Sequence, residues 1–203
     1  MRENSLNLVL ELKLKRRSKM LKSKSLIKGL VRATVFGPDG KVKRFPQTWW
    51  QKLLKLPGRL MIVENHNIVT DEGDALVADH MSETDARTIV DNTNGYIEVG
   101  TGFTSEAKSK TSCDTPTGSP EVMDATYPKL KGSWGAANDN VVQYRATFEA
   151  GDLNATGIDE AALINGSVAA TSDCLAYAQI TPAVNVSSSD TLQVDWELTF
   201  TGS

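Results

Sequence analysis

The strict alternation of apolar and polar side chains over residues 191–201 constrains the fold of this 203-residue chain more than any other feature. A period of two places the apolar side chains on one face of an extended strand, whereas a helix would scatter them. The apolar members are Leu192, Val194, Trp196, Leu198 and Phe200. Residues 142–148 repeat the pattern, so both segments are predicted to be half-buried strands of an antiparallel sheet.

Further short apolar runs, separated by turn residues, predict several more strands. They cover Leu30–Phe36, Lys41–Phe45, Leu60–Glu64, Asn67–Val69, Tyr96–Val99, Gly157–Ile164 and Leu175–Ile180. The tetrad Gly37-Pro38-Asp39-Gly40 predicts a β-turn that joins the first two runs into a hairpin. Residues 103–140 are rich in loop-forming residues, and Val122–Leu130 is predicted to add one element.

Two short helices are predicted within this β-rich pattern. Thr70 can cap a helix over Asp71–Met81, whose first turn is acidic. In a second helix over Trp49–Leu56 the apolar side chains share one face, which predicts that its two tryptophans pack against the body. Stacking of these tryptophans on nucleic-acid bases is the alternative. The predicted fold class is mainly β: an antiparallel β-sandwich with one or two short helices and an extended N-terminal arm.

Residues 1–28 are predicted to form the basic extended arm, and residues 29–203 the β-sandwich body. Five leucines between residues 6 and 14 alternate with other side chains and would line one face of a strand. The basic run that follows offers little apolar surface for independent folding, so the arm is expected to bind a partner. The residues predicted to make that contact are Leu6, Leu8, Leu10, Leu12, Leu14, Lys15, Arg16, Arg17, Lys19, Lys22 and Lys24.

Charge is distributed unevenly along the chain. Residues 1–60 contain 16 Lys and Arg against three acidic residues, whereas residues 61–203 contain six basic and 22 acidic residues. This asymmetry indicates an electrostatic partner: nucleic acid, a membrane, another protein or the acidic body of a neighbouring copy. Nucleic acid is disfavoured because the acidic body would repel phosphates. No apolar run approaches the roughly 18–20 residues that span a bilayer, and no secretory leader is recognised, so a soluble chain without a membrane partner is expected.

No cluster of residues in the sequence indicates catalysis, a cofactor or a metal site, and none of these is expected. His66 and His80 are the only histidines, and no serine lies in a G-x-S-x-G elbow. The acidic run over residues 71–74 lacks the calcium-loop frame, and residues 100–102 lack the third glycine of a dinucleotide-binding fingerprint. The two cysteines have no C-x-x-C spacing and are predicted to be free buried thiols, with a disulfide as the alternative.

An ordered series of short motifs in the body resembles a known family. Residues 65–73 read N-H-N-I-V-T-D-E-G, residues 96–102 read Y-I-E-V-G-T-G, and residues 157–165 read G-I-D-E-A-A-L-I-N. The series closes with D-T-L-Q-V-D-W-E-L-T-F over residues 190–200. In order and spacing it resembles the small virion structural proteins of tailed bacteriophages. The resemblance covers residues 60–202 and carries over no binding residue.

This resemblance implies a non-enzymatic, multicopy structural subunit of a virion, assembled in the host cytoplasm. A capsid-decorating or cementing role, or a place in the neck or tail, is expected. The arm would add a strand to the sheet edge of a neighbouring subunit, so the expected partners are copies of the chain and other capsid, neck or tail proteins. A nucleic-acid-binding protein that uses the basic arm, and a glycan-binding adhesion module, are the alternatives.

Overall fold

The computed structural model describes residues 26–82 and 86–201. Its strands are β1 (Leu26–Phe36), β2 (Ile62–Val69), β3 (Tyr96–Gly100), β4 (Glu121–Val122), β5 (Lys129–Leu130), β6 (Val141–Phe148), β7 (Ala155–Ile164), β8 (Cys174–Val186) and β9 (Thr191–Thr201). Its helices are α1 (Trp49–Leu53) and α2 (Asp71–His80), with a 3₁₀ turn over Ala169–Thr171. The described chain is therefore mainly β, as predicted.

These strands form one antiparallel sheet in the order β4-β3-β7-β8-β2-β1-β9-β6-β5. The sheet is curled into a half-barrel. Its two halves, β4-β3-β7-β8 and β2-β1-β9-β6-β5, are joined in the described residues by a short ladder, in which Asn67–Val69 of β2 pairs with Ala176–Ala178 of β8. The predicted sandwich of two stacked sheets is not confirmed, because this short ladder makes the two halves continuous.

The main core lies inside the half-barrel. Trp196 of β9 is fully buried and lies between Val31 of β1 and Tyr144 of β6, its partners in the two flanking ladders. The alternation predicted for β9 buries each apolar side chain up to Leu198. Phe200, near the end of the strand, is 37% exposed. The period of two thus places the apolar face of β9 in the core.

One segment covers both outer edges of the sheet. β4 pairs with Tyr96 and Ile97 of β3, and β5 pairs with Val142 and Gln143 of β6. Between these pairings the chain crosses from one edge to the other, where the backbone N–H of residue 124 donates to the carbonyl of residue 145 at 2.8 Å. The single element predicted near residues 122–130 is therefore two short edge strands, and together they shield the sheet margins.

β2 has one side that is largely unpaired. It pairs with β1 from Ile62 to Asn67, but with β8 only from Asn67 to Val69. No strand in the described residues pairs with residues 62–66 on the β8 side. We call residues 62–66 the open stretch of β2, because their backbone groups have no ladder partner on this side; the contact there is through a side chain, since Thr181 N of β8 donates to Asn65 Oδ1 at 3.0 Å.

The pairing of β8 is irregular on both sides after Ala178, where its ladder with β2 ends. Gln179 of β8 lies opposite Glu160 of β7, whereas Val184 lies opposite Ile158, so residues 180–183 have no partners in that ladder. Pro182 lies among these unpaired residues, so its missing backbone N–H removes no hydrogen bond from the ladder. Pairing with β7 resumes at Val184 and Val186, so β8 continues to residue 186, past the predicted end at residue 180.

The strand directions give the half-barrel two ends. β1 begins, β2 ends and β8 begins at the end where α2 packs, which we call the helix end. β1 ends and β2 begins at the opposite end, which we call the projection end. Because β1 has 11 residues, the two ends lie about 35 Å apart.

α2 lies across the helix end and covers the core there. Thr70 caps the helix as predicted, since its Oγ1 accepts a hydrogen bond from Gly73 N at 2.9 Å. Glu72 accepts a hydrogen bond from Cys174 N at 2.7 Å, which ties the helix to the start of β8. Leu76 is 2% exposed and fills the core beneath the helix.

Candidate interaction surface

The chain between β1 and β2, residues 37–61, extends from the projection end, and we call it the projection. The predicted β-turn is present at its start, where Gly40 N donates to Gly37 O at 2.9 Å. Its two legs pair with each other, since Phe45 N donates to Arg59 O at 2.9 Å. The projection is thus a hairpin extension of the sheet, with α1 at its far end.

Local hydrogen bonds fix the shape of this far end. Thr48 and Gln51 form a capping box: Thr48 Oγ1 accepts from Gln51 N at 3.3 Å, and Gln51 Oε1 accepts from Thr48 N at 2.9 Å. Gln47 Nε2 donates to Leu56 O at 2.6 Å, and Arg44 Nη1 donates to Gly58 O at 2.6 Å. The backbone is therefore pre-organised without any burial of its apolar side chains.

Four large apolar side chains at this far end face solvent, and we call them the tip. Trp49, Trp50, Leu53 and Leu54 are 63, 57, 65 and 63% exposed, and the two indole rings stack with centroids 3.6 Å apart. The prediction that the tryptophans pack against the body is wrong, because no residue of α1 is buried. Helical spacing shows which side chains share a face but not whether that face is covered. An exposed apolar patch of this kind is typical of an interaction site.

The projection is also strongly basic. Its one acidic residue is Asp39, and its basic residues are Lys41, Lys43, Arg44, Lys52, Lys55 and Arg59. Lys43 Nζ lies 2.6 Å from the buried Asp190 carboxylate and fixes the base of the projection to the body. Burial raises the pKa of Asp190, but the hydrogen bonds from Lys43 and Ser187 outweigh it and hold the pKa below its ordinary value.

A second polar cluster lies under the loop over residues 101–115, on the outer face of β3, β7 and β8. The Glu160 carboxylate, fully buried, accepts hydrogen bonds from three backbone N–H groups of this loop and from the Tyr177 hydroxyl. Glu98 lies diagonally across the ladder and accepts from Cys113 N at 2.7 Å. The two carboxylates hold the loop on the sheet.

Sequence reasoning missed this carboxylate cluster, although a signal for it was present. Glu98 and Glu160 each interrupt an apolar strand segment at a position that the neighbouring residues predict to be buried. Charged side chains at such positions are rare unless hydrogen bonds satisfy them. The donors come from a loop with no regular pattern, and that loop could not be placed from the sequence.

The burial of Glu98 gives a pH-dependent prediction. Burial is the main cause that raises the pKa of Glu98, and the charge of Glu160 adds to it, whereas the hydrogen bonds from Cys113 oppose it. A carboxyl whose pKa is raised in the folded state destabilises that state as it ionises. Glu98→Gln keeps an acceptor for Cys113 N, so we expect it to match the wild type below pH 4.5 and to become progressively more stable than it above that pH. Urea midpoints measured from pH 4 to pH 7 test this, and a difference that is constant with pH contradicts it.

The two cysteine thiols are inaccessible. Cys113 and Cys174 are both free and buried, which agrees with the predicted free thiols. Desolvation raises the pKa of both thiols, so neither is poised as a nucleophile at neutral pH. Among the described residues, no group of three His, Cys, Asp or Glu could hold a metal ion. No helix within those residues is long and apolar enough to cross a membrane.

The predicted contact residues of the arm lie outside the described residues. They are Leu6, Leu8, Leu10, Leu12, Leu14, Lys15, Arg16, Arg17, Lys19, Lys22 and Lys24. The described strand β1 begins at Leu26, which pairs with Thr201 of β9. The arm therefore joins the body at the helix end. No family model, curated protein or solved structure matches this chain.

Proposed function

We propose that this chain is a non-enzymatic structural subunit that assembles with copies of itself. The observation that carries the proposal is the tip: four large apolar side chains, each more than half exposed, on a backbone held rigid by its own hydrogen bonds. Removing exposed apolar surface from water by contact with another protein is favourable in free energy. A pre-organised backbone adds to this, because little conformational entropy is lost on binding. The resemblance of the motif series to virion structural proteins suggests the assembly: the head, neck or tail of a tailed phage.

The arm supplies the second part of the proposed contact. Its leucines alternate with period two, so a strand formed by residues 6–14 would present them all on one face. In a neighbouring subunit, residues 62–66 of β2, the open stretch, have no ladder partner on the β8 side and would pair with this strand. The basic residues that follow would then lie against the acidic body of that neighbour, with an attraction weakened by salt.

The experiment compares the full chain with a variant whose arm cannot bury a leucine face. Sedimentation velocity over a range of concentrations should show large species for the wild type. The variant Leu8→Ser, Leu10→Ser and Leu12→Ser should shift the concentration for assembly upwards at least tenfold. Its matched control is Asn7→Ser and Val9→Ser, which changes the opposite face of the same strand and should assemble like the wild type.

Two results would overturn the proposal. A wild-type chain that stays monomeric at every concentration would show that it does not assemble with itself. Immunogold labelling that finds no copy of the chain on purified particles would remove the virion from the proposal. Circular dichroism on each variant verifies that the body remains folded.

A further inference from the structure

A second group of exposed apolar side chains lies at the helix end. Met81, Ile89 and Val168 are 85, 45 and 57% exposed. They belong to three neighbouring segments, residues 70–82, 86–94 and 165–173, which we call the pole. The tip and the pole are therefore apolar surfaces beyond opposite ends of β1, a strand about 35 Å long.

Hydrogen bonds join the three segments of the pole into one surface. Asp79 Oδ2 accepts from the backbone N–H of Arg87 at 2.7 Å, and the Arg87 guanidinium lies 2.6 Å from the Asp173 carboxylate. Asn165 Nδ2 donates to Thr88 O at 2.8 Å. The pole is thus pre-organised, as the projection is.

The charge of the pole is the reverse of the charge of the projection. The pole contains six acidic residues and one basic residue, Arg87, and the acidic residues are Asp71, Glu72, Asp74, Asp79, Asp91 and Asp173. Lys108, from a neighbouring loop, contacts two of them and leaves the pole negative. The projection contains six basic residues and one acidic residue, Asp39. Two tips would repel each other, whereas a tip and a pole attract.

The pole also offers an apolar socket. A cavity of about 160 Å³ opens beside α2 and is lined mainly by Leu76, Ile89, Val90 and Leu175. Leu76, Ile89 and Val90 belong to the same segments as the acidic residues of the pole, so an apolar side chain that enters the socket comes with its flanking residues onto a negatively charged surface. A leucine of the tip, with Lys52 and Lys55 beside it, has this combination of features.

We propose that subunits assemble head to tail, with the tip of one copy docked on the pole of the next. This inference rests on the proposed function and specifies its geometry. Because the two surfaces differ, the contact is heterologous: repeated docking closes into a ring or continues as a filament.

The position of the arm fits this arrangement. The arm leaves the body at the helix end, beside the pole, and 25 extended residues reach about 80 Å. In a head-to-tail contact the pole faces the neighbour's projection, and the open stretch of β2 begins immediately after that projection, at Ile62. The arm of one copy thus starts next to the open stretch that it is proposed to occupy in the neighbour.

The experiment mixes two full-length variants, each defective on one side of the contact. Trp50→Asp with Leu53→Asp removes two side chains of the tip, and Met81→Lys with Val168→Lys removes two apolar side chains of the pole and makes the pole less negative. All four positions are exposed, so both variants should fold. Each alone should assemble at least tenfold more weakly than the wild type in sedimentation velocity. In a 1:1 mixture, the intact tip of the pole variant should dock on the intact pole of the tip variant. The resulting dimers should not grow, because their two outer surfaces are the defective ones.

The control and the contrary outcomes separate this inference from the proposed function. Ser105→Asp with Ser119→Asp matches the charge change of the tip variant at exposed positions elsewhere and should assemble normally. If the mixture does not form dimers, or if the pole variant assembles like the wild type, the head-to-tail contact is overturned while self-assembly stands. A co-sedimentation assay with vesicles of phosphatidylcholine and phosphatidylglycerol tests lipid binding. If the wild type co-sediments with the vesicles but the tip variant does not, and the tip variant still assembles like the wild type, the tip binds lipid and the inference is wrong. A wild type that never assembles removes the proposed function itself.

Discussion

Replacing Glu160 with glutamine is expected to lower the free energy of unfolding by about 3 kcal/mol, although the side chain keeps its shape. Glu160 Oε1 accepts from Gly102 N at 3.2 Å and Thr115 N at 2.9 Å, and Oε2 accepts from Asp114 N at 2.8 Å. Tyr177 donates to Oε2 at 2.5 Å. A glutamine has one carbonyl oxygen, so whichever way its amide is turned, at least one buried backbone N–H of the loop loses its acceptor.

Glu98→Gln is the matched control for this prediction. Both residues are buried carboxylates on adjacent strands, but Glu98 Oε2 accepts from one backbone N–H, that of Cys113, and a glutamine can retain that bond. Guanidinium denaturation at pH 7 should therefore show a large loss of stability for Glu160→Gln and, as the raised pKa of Glu98 predicts, a gain for Glu98→Gln. Equal losses would mean that the number of N–H donors is not what makes Glu160 important.

Truncating Trp196 to alanine is expected to cost about 4 kcal/mol of folding stability. The side chain is 0% exposed and lies between Val31 and Tyr144 on the central strands of the half-barrel. Its removal leaves a cavity that three paired strands cannot close, because their ladders fix the backbone spacing. Thermal and chemical unfolding both measure the loss.

Two further substitutions test whether packing is the reason. Trp134→Ala removes the same side chain at a position that is 91% exposed, and it should leave stability within about 0.5 kcal/mol of the wild type. Trp196→Phe keeps most of the apolar volume and removes an indole N–H that finds no partner within the described residues. It should cost less than half of what alanine costs. A phenylalanine variant as unstable as the alanine variant would show that volume is not the cause.

The sequence predicts the strands of this protein better than their arrangement. Period two identifies β6 and β9 because one face of each is covered along almost its whole length, and burial then enforces the alternation. A sandwich and a curled single sheet require the same alternation. What distinguishes them is the short ladder between Asn67–Val69 and Ala176–Ala178, which joins segments more than a hundred residues apart. No local pattern indicates such a pairing.

The candidate surface was harder to predict than the strands. The spacing of Trp49, Trp50 and Leu53 is the same whether the helix packs inward or stands in solvent. Whether the helix packs inward depends on the residues around α1. Their side chains form a capping box and a hydrogen bond to the backbone, so the ends of α1 are hydrogen-bonded without contact with the body. The acidic pole was not visible either, because its segments are separated in the sequence and meet only at the helix end.

The segment that crosses between the two sheet margins has a consequence for a protein present in many copies. Exposed strand edges of neighbouring molecules tend to fuse into continuous sheets, which ends in insoluble aggregates. Residues 121–131 cap much of both margins with strands too short to act as templates. Crowded molecules can therefore meet at these two margins without fusing their sheets.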